Sequence, residues 1–253
     1  MALVVDLNCD MGESFGAWRM GCDEKLMDYV SSVNIACGFH AGDPSVIRKT
    51  VELAIRKNVA IGAHPSFPDL QGFGRREMKM SEQEIFDIVL YQVSALKGIC
   101  EAFGGKLHHV KPHGALYNQA AKNPSVARAI AEAVKAIDSS LVFYGLSGSH
   151  LVAEASKIGL RTASEVFADR TYQPDGTLTP RHFQNALVKN TAEAIKQVLQ
   201  IVKTQTVTAT NGEVISLTAE TVCIHGDSEN ALEFAIAINS ELQKNGIQVQ
   251  TII

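Results

Sequence analysis

The chain has 253 residues, with 23 Lys and Arg against 27 Asp and Glu, which gives a formal net charge of −4 at pH 7. The basic residues are spread along the sequence, which argues against non-specific nucleic-acid binding as the main activity. Apolar residues make up 46% and charged residues 20%, so disordered and fibrous classes are excluded. No apolar run reaches the roughly 18–20 residues of a membrane span. No signal peptide is visible.

The cysteines indicate a reducing compartment. Five are present, an odd number, and none of them forms a C-x-x-C spacing. This pattern is typical of free thiols and argues against a disulfide scaffold or the usual structural zinc sites. We therefore expect a cytoplasmic protein with one core and no membrane partner.

Short β-rich runs alternate with helical segments from end to end. The predicted strands are Val4–Cys9, Val33–Cys37, Val59–Ala63, Leu107–Lys111, Leu141–Leu146, Arg161–Phe167, Thr221–His225 and Gln248–Ile252. Helix starts or apolar helical faces are evident near residues 43–55, 81–96, 123–137, 190–202 and 228–245. About eight strands that alternate with about seven helices predict a parallel sheet.

Polar residues at strand ends favour a barrel over an open sheet. A barrel gathers its strand ends around one mouth, whereas an open sheet spreads them along an edge. We expect one domain over residues 1–253 with an α/β fold, a (β/α) TIM-like barrel of regular or irregular form. The strand-end residues are Asp10, His40, His64, His113, Asp169 and Asp227.

Two insertions depart from this alternation. Residues 170–189 are longer than the roughly 2–6 residues of a usual βα loop and are predicted to form a lid over the mouth. Residues 206–217 alternate around Asn211–Gly212, which predicts a β-hairpin. Because the hairpin follows a helix and precedes a strand, we expect it on the face away from the mouth, where it would contact a partner or a second copy.

The first strand places Asp6, Asn8 and Asp10 on one face. Inside a barrel such carboxylates need cations, donors, a metal or a raised pKa. Asp6 is either functional or a structural hydrogen-bond acceptor low in the barrel. Asp10 and Glu13 lie nearer the mouth and are the better catalytic candidates.

The fourth strand places His109, Lys111 and His113 on one face. Four residues of strand span about 13 Å, so His109 and His113 cannot bind one ion together as they would on a helix. Lys111 is an inward counter-ion, an electrophile, a base with a depressed pKa, or one half of a buried salt bridge. The sequence leaves these alternatives open.

The turns supply further candidates. His40 and His64 follow strand ends rich in small residues, where backbone amides suit an anion or an oxyanion. Arg75 lies in a glycine-hinged loop, residues 72–76, that is either a clamp for a carboxylate or phosphate or a solvated turn. His225 and Asp227 share a strand face and form a possible acid–base pair.

The remaining charged candidates follow the sixth strand: Asp169, Arg170 and Arg181. The cysteines are interpreted as buried small residues rather than nucleophiles. Neither G-x-x-x-x-G-K-[ST] nor G-x-G-x-x-G occurs, so the chain has no recognisable phosphate loop.

Seven segments, in order along nearly the whole chain, closely resemble the LamB/YcsF family. They are Asp6–Glu13, Asn34–Pro44, Gly62–Pro65, Gly72–Arg76, His109–Asn118, Glu165–Arg170 and Cys223–Asp227. The resemblance implies a barrel akin to the glycoside hydrolase/deacetylase barrels. It also implies ATP-dependent opening of 5-oxoproline (pyroglutamate) to L-glutamate, carried out with subunits B and C of a 5-oxoprolinase.

For that reaction we expect Asp10, Glu13 or His64 to activate water. Lys111 and His113 would stabilise the oxyanion and protonate the leaving nitrogen. The candidate catalytic residues are Asp10, Glu13, His40, His64, Lys111, His113 and Asp227, and the candidate substrate-binding residues are Arg75, Asp169, Arg170, Arg181 and His225.

Two other functions stay open. One is a metal-dependent, deacetylase-like hydrolase with a divalent ion on Asp10, His64 and His113. The other is a lactam-binding subunit without chemistry of its own. The sequence does not require a metal.

Overall fold

The computed structural model describes residues 3–225 and 231–252. The strands are β1 (Leu3–Met11), β2 (Ser32–Ala36), β3 (Ala60–His64), β4 (Leu107–Val110), β5 (Val142–Leu146), β6 (Arg161–Phe167), β7 (Thr206–Thr208), β8 (Val214–Ser216), β9 (Thr221–His225) and β10 (Ile247–Val249). The helices are α1 (Asp23–Leu26), α2 (Pro44–Lys57), α3 (Glu82–Ala102), α4 (Gly114–Lys122), α5 (Pro124–Ile137), α6 (His150–Lys157), α7 (Thr191–Thr204) and α8 (Ala231–Lys244). Within these ranges no helix is both long and apolar enough to cross a membrane.

Seven parallel strands close into a barrel. The order is β1–β2–β3–β4–β5–β6–β9, and β9 pairs back with β1. β1 has two neighbours on this side, since β10 pairs with Leu3–Val5 and β9 pairs with Asp6–Asp10. The predicted irregular (β/α) barrel is therefore confirmed, and the eighth strand extends the wall beside β1.

Alternation in β1 explains its two faces. Leu7 and Cys9 belong to the apolar core, while Asp6 and Asp10 are buried among polar groups. Asp6 accepts hydrogen bonds from three hydroxyls, those of Ser31, Ser32 and Thr221. Burial raises the pKa of Asp6, and these hydroxyls offset part of that shift. The bonds fit a structural acceptor.

Side-chain caps fix where the helices begin. Asp43 accepts from the amides of Ser45 and Val46 at the start of α2, and also from the amide of Gly16. Ser81 and Glu84 form a capping box at the start of α3, in agreement with the helix start predicted near residue 81. Because Asp43 already occupies the amides that begin α2, they are not open to an anion as the sequence suggested.

Three helices were not predicted: the four-residue α1, and α4 and α6, which begin directly after short turns. His113 is the residue before α4 and has extended backbone angles. β4 ends at Val110, so Lys111 and His113 lie past the strand, at the mouth of the barrel. His109 lies lower, where its Nε2 is 2.8 Å from Asn34 Oδ1.

The segment between β6 and α7 is long and lacks a helix or strand. Isolated bridges join Arg170 to Leu187 and Tyr172 to Leu178 within it. β7 and β8 pair antiparallel on the other side of α7. The amide of Thr210, in the β7–β8 turn, donates to the Tyr172 carbonyl at 2.8 Å. The hairpin therefore touches the long segment, a contact that its expected position away from the mouth did not anticipate.

Candidate active site

A cavity of about 500 Å³ opens at the carboxyl ends of the strands. Its walls come from the ends of β1, β3, β5, β6 and β9, from the loops after β1, β3, β4 and β6, and from α4. The predicted site residues that line it are Asp10, Glu13, His64, Arg75, Lys111, His113, Arg170, Arg181 and His225. Three predicted residues are not in the lining: His40 lies behind His113, Asp169 lies behind His225, and Asp227 is outside the described residues.

Lys111 is the buried cation of the site. Its Nζ lies 2.9 Å from Asp10 Oδ1, 2.9 Å from Glu165 Oε1 and 3.0 Å from Cys223 Sγ. Burial opposes a charge here, but Asp10, Cys223 and Glu165 outweigh it and raise the pKa of Lys111 well above its usual value. This geometry supports the counter-ion interpretation over that of a base.

Asp10 is held as a carboxylate. Its Oδ1 also accepts from Asn34 Nδ2 at 2.8 Å, and its Oδ2 lies 3.3 Å from His64 Nε2. Burial would raise its pKa, yet His64 and Lys111 hold the pKa of Asp10 well below the ordinary range. A carboxylate with so low a pKa is a weak base, so Asp10 is better suited to orient Lys111 and His64 than to take a proton from water.

Glu165 is a member of this cluster that sequence reasoning did not select. It is fully buried and accepts from Tyr117 Oη at 2.7 Å and from Asn8 Nδ2 at 3.1 Å. The sequence feature that could have identified Glu165 is that it is the one carboxylate in the otherwise uncharged end of β6. Cys223 is buried as predicted, but its contact with Lys111 gives it a place in the site that its residue type alone did not indicate.

The tautomers of His64 and His113 follow from their carbonyl partners. His64 Nδ1 is 2.7 Å from the Lys111 carbonyl, and His113 Nε2 is 2.9 Å from the Phe73 carbonyl. A carbonyl only accepts, so both of these nitrogens donate. In neutral rings the other nitrogens, His64 Nε2 and His113 Nδ1, then present lone pairs to each other at 2.9 Å. Facing lone pairs at that distance require either a proton on one of the two nitrogens or a metal cation bound by both.

His40 stacks on His113 with ring centroids 3.8 Å apart and an interplanar angle of 8°. Both of its ring nitrogens are buried and have no hydrogen-bond partner among the described residues. Its Nε2 lies 3.9 Å from Glu13 Oε1. Burial lowers the pKa of both His40 and His113, so each ring is neutral near pH 7.

The glycine-hinged loop closes over these histidines. Gly74 has φ +63°, and a Cβ there would collide with Ser66 Oγ and lie 2.8 Å from His113 Cδ2. The two arginines of this loop, the predicted anion-binding loop, have different surroundings. Arg75 lines the cavity, whereas Arg76 is bonded to Asp69.

A second polar group joins the barrel to the long segment after β6. His225 Nδ1 lies 2.8 Å from Asp169 Oδ2, and Arg181 Nη2 lies 3.0 Å from His225 Nε2. Since a guanidinium only donates, Nε2 accepts and Nδ1 donates to Asp169. Asp169 therefore takes the place beside His225 Nδ1. Asp227, the predicted acid–base partner of His225, lies outside the described residues. Arg170 donates to carbonyls of its own segment, at Thr179 and Ala186, as well as lining the cavity.

Among the described residues, two groups of side chains could hold a metal, one of them Asp10, Cys223 and His225 and the other the histidines at the β2–β4 side of the mouth. One ligand atom from each of Glu13, His40, His64 and His113 lies within 4.8 Å of the others. Asp10 meets this group through His64. Imidazole nitrogens with fixed tautomers suit a transition-metal ion.

A closed parallel barrel with an acid–base cluster in a cavity at the carboxyl ends of its strands has the architecture of a barrel enzyme. The family model described as "LamB/YcsF family" matches residues 5–253, and the chain belongs to that family. A curated relative from Tolumonas auensis, named as the A subunit of 5-oxoprolinase, is 58% identical over 246 residues, which cover 97% of this chain and 98% of that protein.

Solved structures agree with this assignment. A crystal structure of a lactam utilization protein from Thermus thermophilus has 45% sequence identity and a TM-score of 0.94, and the match covers 99% of this chain and 100% of that one. A T48 deacetylase has 13% identity and a TM-score of 0.51 over 98% of this chain and 87% of that one, a likeness of fold alone. The predicted kinship with deacetylase barrels is confirmed at the level of the fold.

Proposed function

We propose that this chain is the barrel subunit of a 5-oxoprolinase, which opens 5-oxoproline to L-glutamate while ATP is hydrolysed to ADP and phosphate. Subunits B and C would complete the enzyme. The observation that carries the proposal is the buried Lys111, Asp10 and Glu165 cluster beside paired histidines, at one wall of a cavity whose lining includes arginines. The 58% identity to a protein named as the A subunit of 5-oxoprolinase supports the choice of substrate.

The cavity matches the two functional groups of 5-oxoproline. Its volume of about 500 Å³ falls within the roughly 300–1,000 Å³ of small-molecule sites. Arg75 and Arg181 reach it from different loops and suit the substrate carboxylate, because guanidinium groups bind carboxylates with paired hydrogen bonds. Through its contact with Arg181, His225 would orient that side chain.

Coupling to ATP follows from the chemistry of a lactam. The amide resonance of the five-membered ring makes its carbonyl carbon a poor electrophile. Phosphorylation of the lactam oxygen would remove that resonance and activate the carbon. Because the chain has no recognisable phosphate loop, we assign ATP binding to the partner subunits.

Glu13 is the best-placed base for the attack of water. Asp10 is held at a low pKa, and His64 Nε2 faces another ring nitrogen. Glu13 would take a proton from the attacking water and return it to the ring nitrogen as the C–N bond breaks, which leaves the phosphoryl group on the new carboxyl as an acyl phosphate. A second water would then cleave this acyl phosphate to the carboxylate and inorganic phosphate. Lys111 would oppose the negative charge that develops on oxygen. Each such contribution is typically worth about 10²–10⁴-fold.

The test is glutamate release from 5-oxoproline and ATP, with the chain alone and with purified subunits B and C. We expect turnover only in the complete mixture. Turnover by the chain alone would contradict the assignment of ATP to the partners. If neither reaction releases glutamate, the assignment of 5-oxoproline as the substrate is wrong.

The histidine cluster favours one second candidate, a metal-dependent, deacetylase-like hydrolase that needs no ATP. Release of acetate from acetylated sugars by the chain alone, with no effect of ATP, would select it. A non-catalytic lactam-binding subunit is the remaining alternative. Site variants that still assemble with the partners but no longer release glutamate would count against that role.

A further inference from the structure

The His64 and His113 pair has the arrangement of two ligands to one ion. Each ring donates one N–H to a backbone carbonyl, of Lys111 and Phe73 respectively, and so points a lone pair at its neighbour. Metal-bound histidines almost always use their second nitrogen in this way, because the carbonyl fixes the tautomer and the ring orientation. The 2.9 Å between the two facing nitrogens is left unexplained by neutral rings alone.

His40 supplies a second, independent observation. It is 1% exposed, and neither ring nitrogen has a partner among the described residues. A buried polar group without a hydrogen bond destabilises the fold, so a bound ligand is one explanation for a buried ring without partners. His40 lies against His113, and its ligand atom is within 4.8 Å of those of His64 and Glu13.

We propose that His40, His64 and His113 bind one divalent first-row transition-metal ion of the Zn²⁺ class, with Glu13 beside it. Three imidazoles select such an ion over Mg²⁺ or Ca²⁺, which prefer oxygen ligands. Three protein ligands leave a coordination position open, as in catalytic zinc sites. His64 and His113 line the cavity, so a ligand in the open position would reach the ion from the cavity.

The three histidines do not contribute equally. An ion lies close to the plane of the imidazole that binds it, and the His40 ring is parallel to the His113 ring. His40 must therefore tilt out of this stack to complete the site. We expect His64 and His113 to supply most of the affinity and His40 to supply less.

Binding of the ion does not depend on the proposed function, but its role in ring opening does. A bound divalent ion polarises an oxygen or lowers the pKa of water. Glu13 would remain the base that receives the proton of the attacking water. Lys111 would stay outside the ligand set, held by Asp10 and Glu165.

The experiment titrates the chelator-stripped full chain with Co²⁺ and Zn²⁺, without ATP or partner subunits. Bound metal is counted by elemental analysis, and the visible absorption of Co²⁺ reports nitrogen ligation. We expect one ion per chain. His64→Ala and His113→Ala should weaken binding by more than about 100-fold, and His40→Ala by less. Glu13→Gln should keep the ion but lose glutamate release in the complete enzyme.

His182→Ala is the matched control, because His182 also lines the cavity but is outside the cluster. It should bind the ion as the unmodified chain does. Circular dichroism in chelator checks that each variant is folded. Where a histidine variant does not fold, ¹⁵N NMR of the unmodified chain decides, since an added ion should shift the His64 and His113 ring nitrogens together.

No saturable binding by the unmodified chain would overturn the inference. Metal binding by His64→Ala and His113→Ala as tight as that of the unmodified chain would also overturn it. So would an NMR signal from a proton shared by the two rings in metal-saturated protein. Glutamate release by a complete, metal-free enzyme would reject the ion's role in ring opening and leave the proposed function standing. Saturable binding of the ion, together with no glutamate release by the metal-loaded complete enzyme, would support the metal site and reject the proposed function.

Discussion

Lys111 and Asp10 form a buried ion pair, with 2.9 Å between Nζ and Oδ1, although 101 residues separate them in the chain. Lys111 comes from the turn after β4 and Asp10 from β1, and Glu165 of β6 meets the same ammonium group. The Lys111 ammonium group therefore links the turn after β4 to carboxylates of β1 and β6. This relationship makes Lys111 both a candidate for catalysis and a structural requirement.

Replacing Lys111 with Met should abolish glutamate release and also destabilise the fold. Loss of the cation leaves Asp10 and Glu165 buried without a counter-charge, and breaking such a pair typically costs about 3–5 kcal/mol. Urea unfolding measures the stability, and the complete enzyme measures the activity.

The double variant Lys111→Met, Glu165→Gln separates the two effects. It removes one of the two stranded charges, so it should recover part of the stability and none of the activity. Full stability in the single variant would show that Lys111 is not needed to balance these carboxylates.

Asp10 should contribute acid-sensitive stability. Against the effect of burial, His64 and Lys111 hold its pKa well below the unfolded value of about 3.9. The unfolded chain then binds the proton more readily, so the contribution is present above about pH 4 and is lost as the pH falls through the folded pKa. We expect the gap in unfolding free energy between the unmodified chain and Asp10→Asn to shrink below about pH 4. Urea titrations from about pH 6 to about pH 3 in chelator measure it, and a constant gap would contradict the prediction.

Replacing Gly74 with alanine should destabilise the fold for a steric reason. Its φ of +63° disfavours a side chain, and the new Cβ of Gly74→Ala would also meet His113 and Ser66. Gly104 has φ +75° but no atom within 4 Å of its would-be Cβ. Gly104→Ala therefore costs only the backbone term of about 1–2 kcal/mol, while Gly74→Ala adds about 1–3 kcal/mol of overpacking.

The same pair of variants separates backbone strain from displacement of the histidines. Only Gly74→Ala should lower glutamate release by the complete enzyme under conditions where both proteins are folded. Equal activity in the two variants would show that the loop position over His113 does not matter.

Arg75 and Arg76 are neighbours with different expected roles. Arg75 lines the cavity, so Arg75→Ala should raise the KM for 5-oxoproline by about tenfold or more, the value of a charge-assisted hydrogen bond. Arg76 is bonded to Asp69, so Arg76→Ala should lower stability without changing KM. Steady-state kinetics of the complete enzyme with each variant decide this. A raised KM in Arg76→Ala alone would reverse the assignment.

The sequence alone predicted the strands, the barrel and the caps because these depend on local patterns. The alternation of Asp6, Asn8 and Asp10 with apolar residues placed the acids inside β1. The capping box at Ser81 fixed the start of α3. Residue types at strand ends and in the loops that follow them also indicated most of the charged and histidine side chains that line the cavity, since a parallel barrel directs every strand end to one mouth.

Only the tertiary structure decided which of those residues meet. Glu165 and Cys223 reached Lys111 across the barrel, and His225 met Asp169, 56 residues away. Two neighbouring arginines, Arg75 and Arg76, took different tasks. Barrel closure, through the register of its strands, sets contacts between distant residues, and no local pattern encodes that register. The sequence therefore determined which chemical groups stand at the mouth, and the closed barrel determined their partners, tautomers and charges.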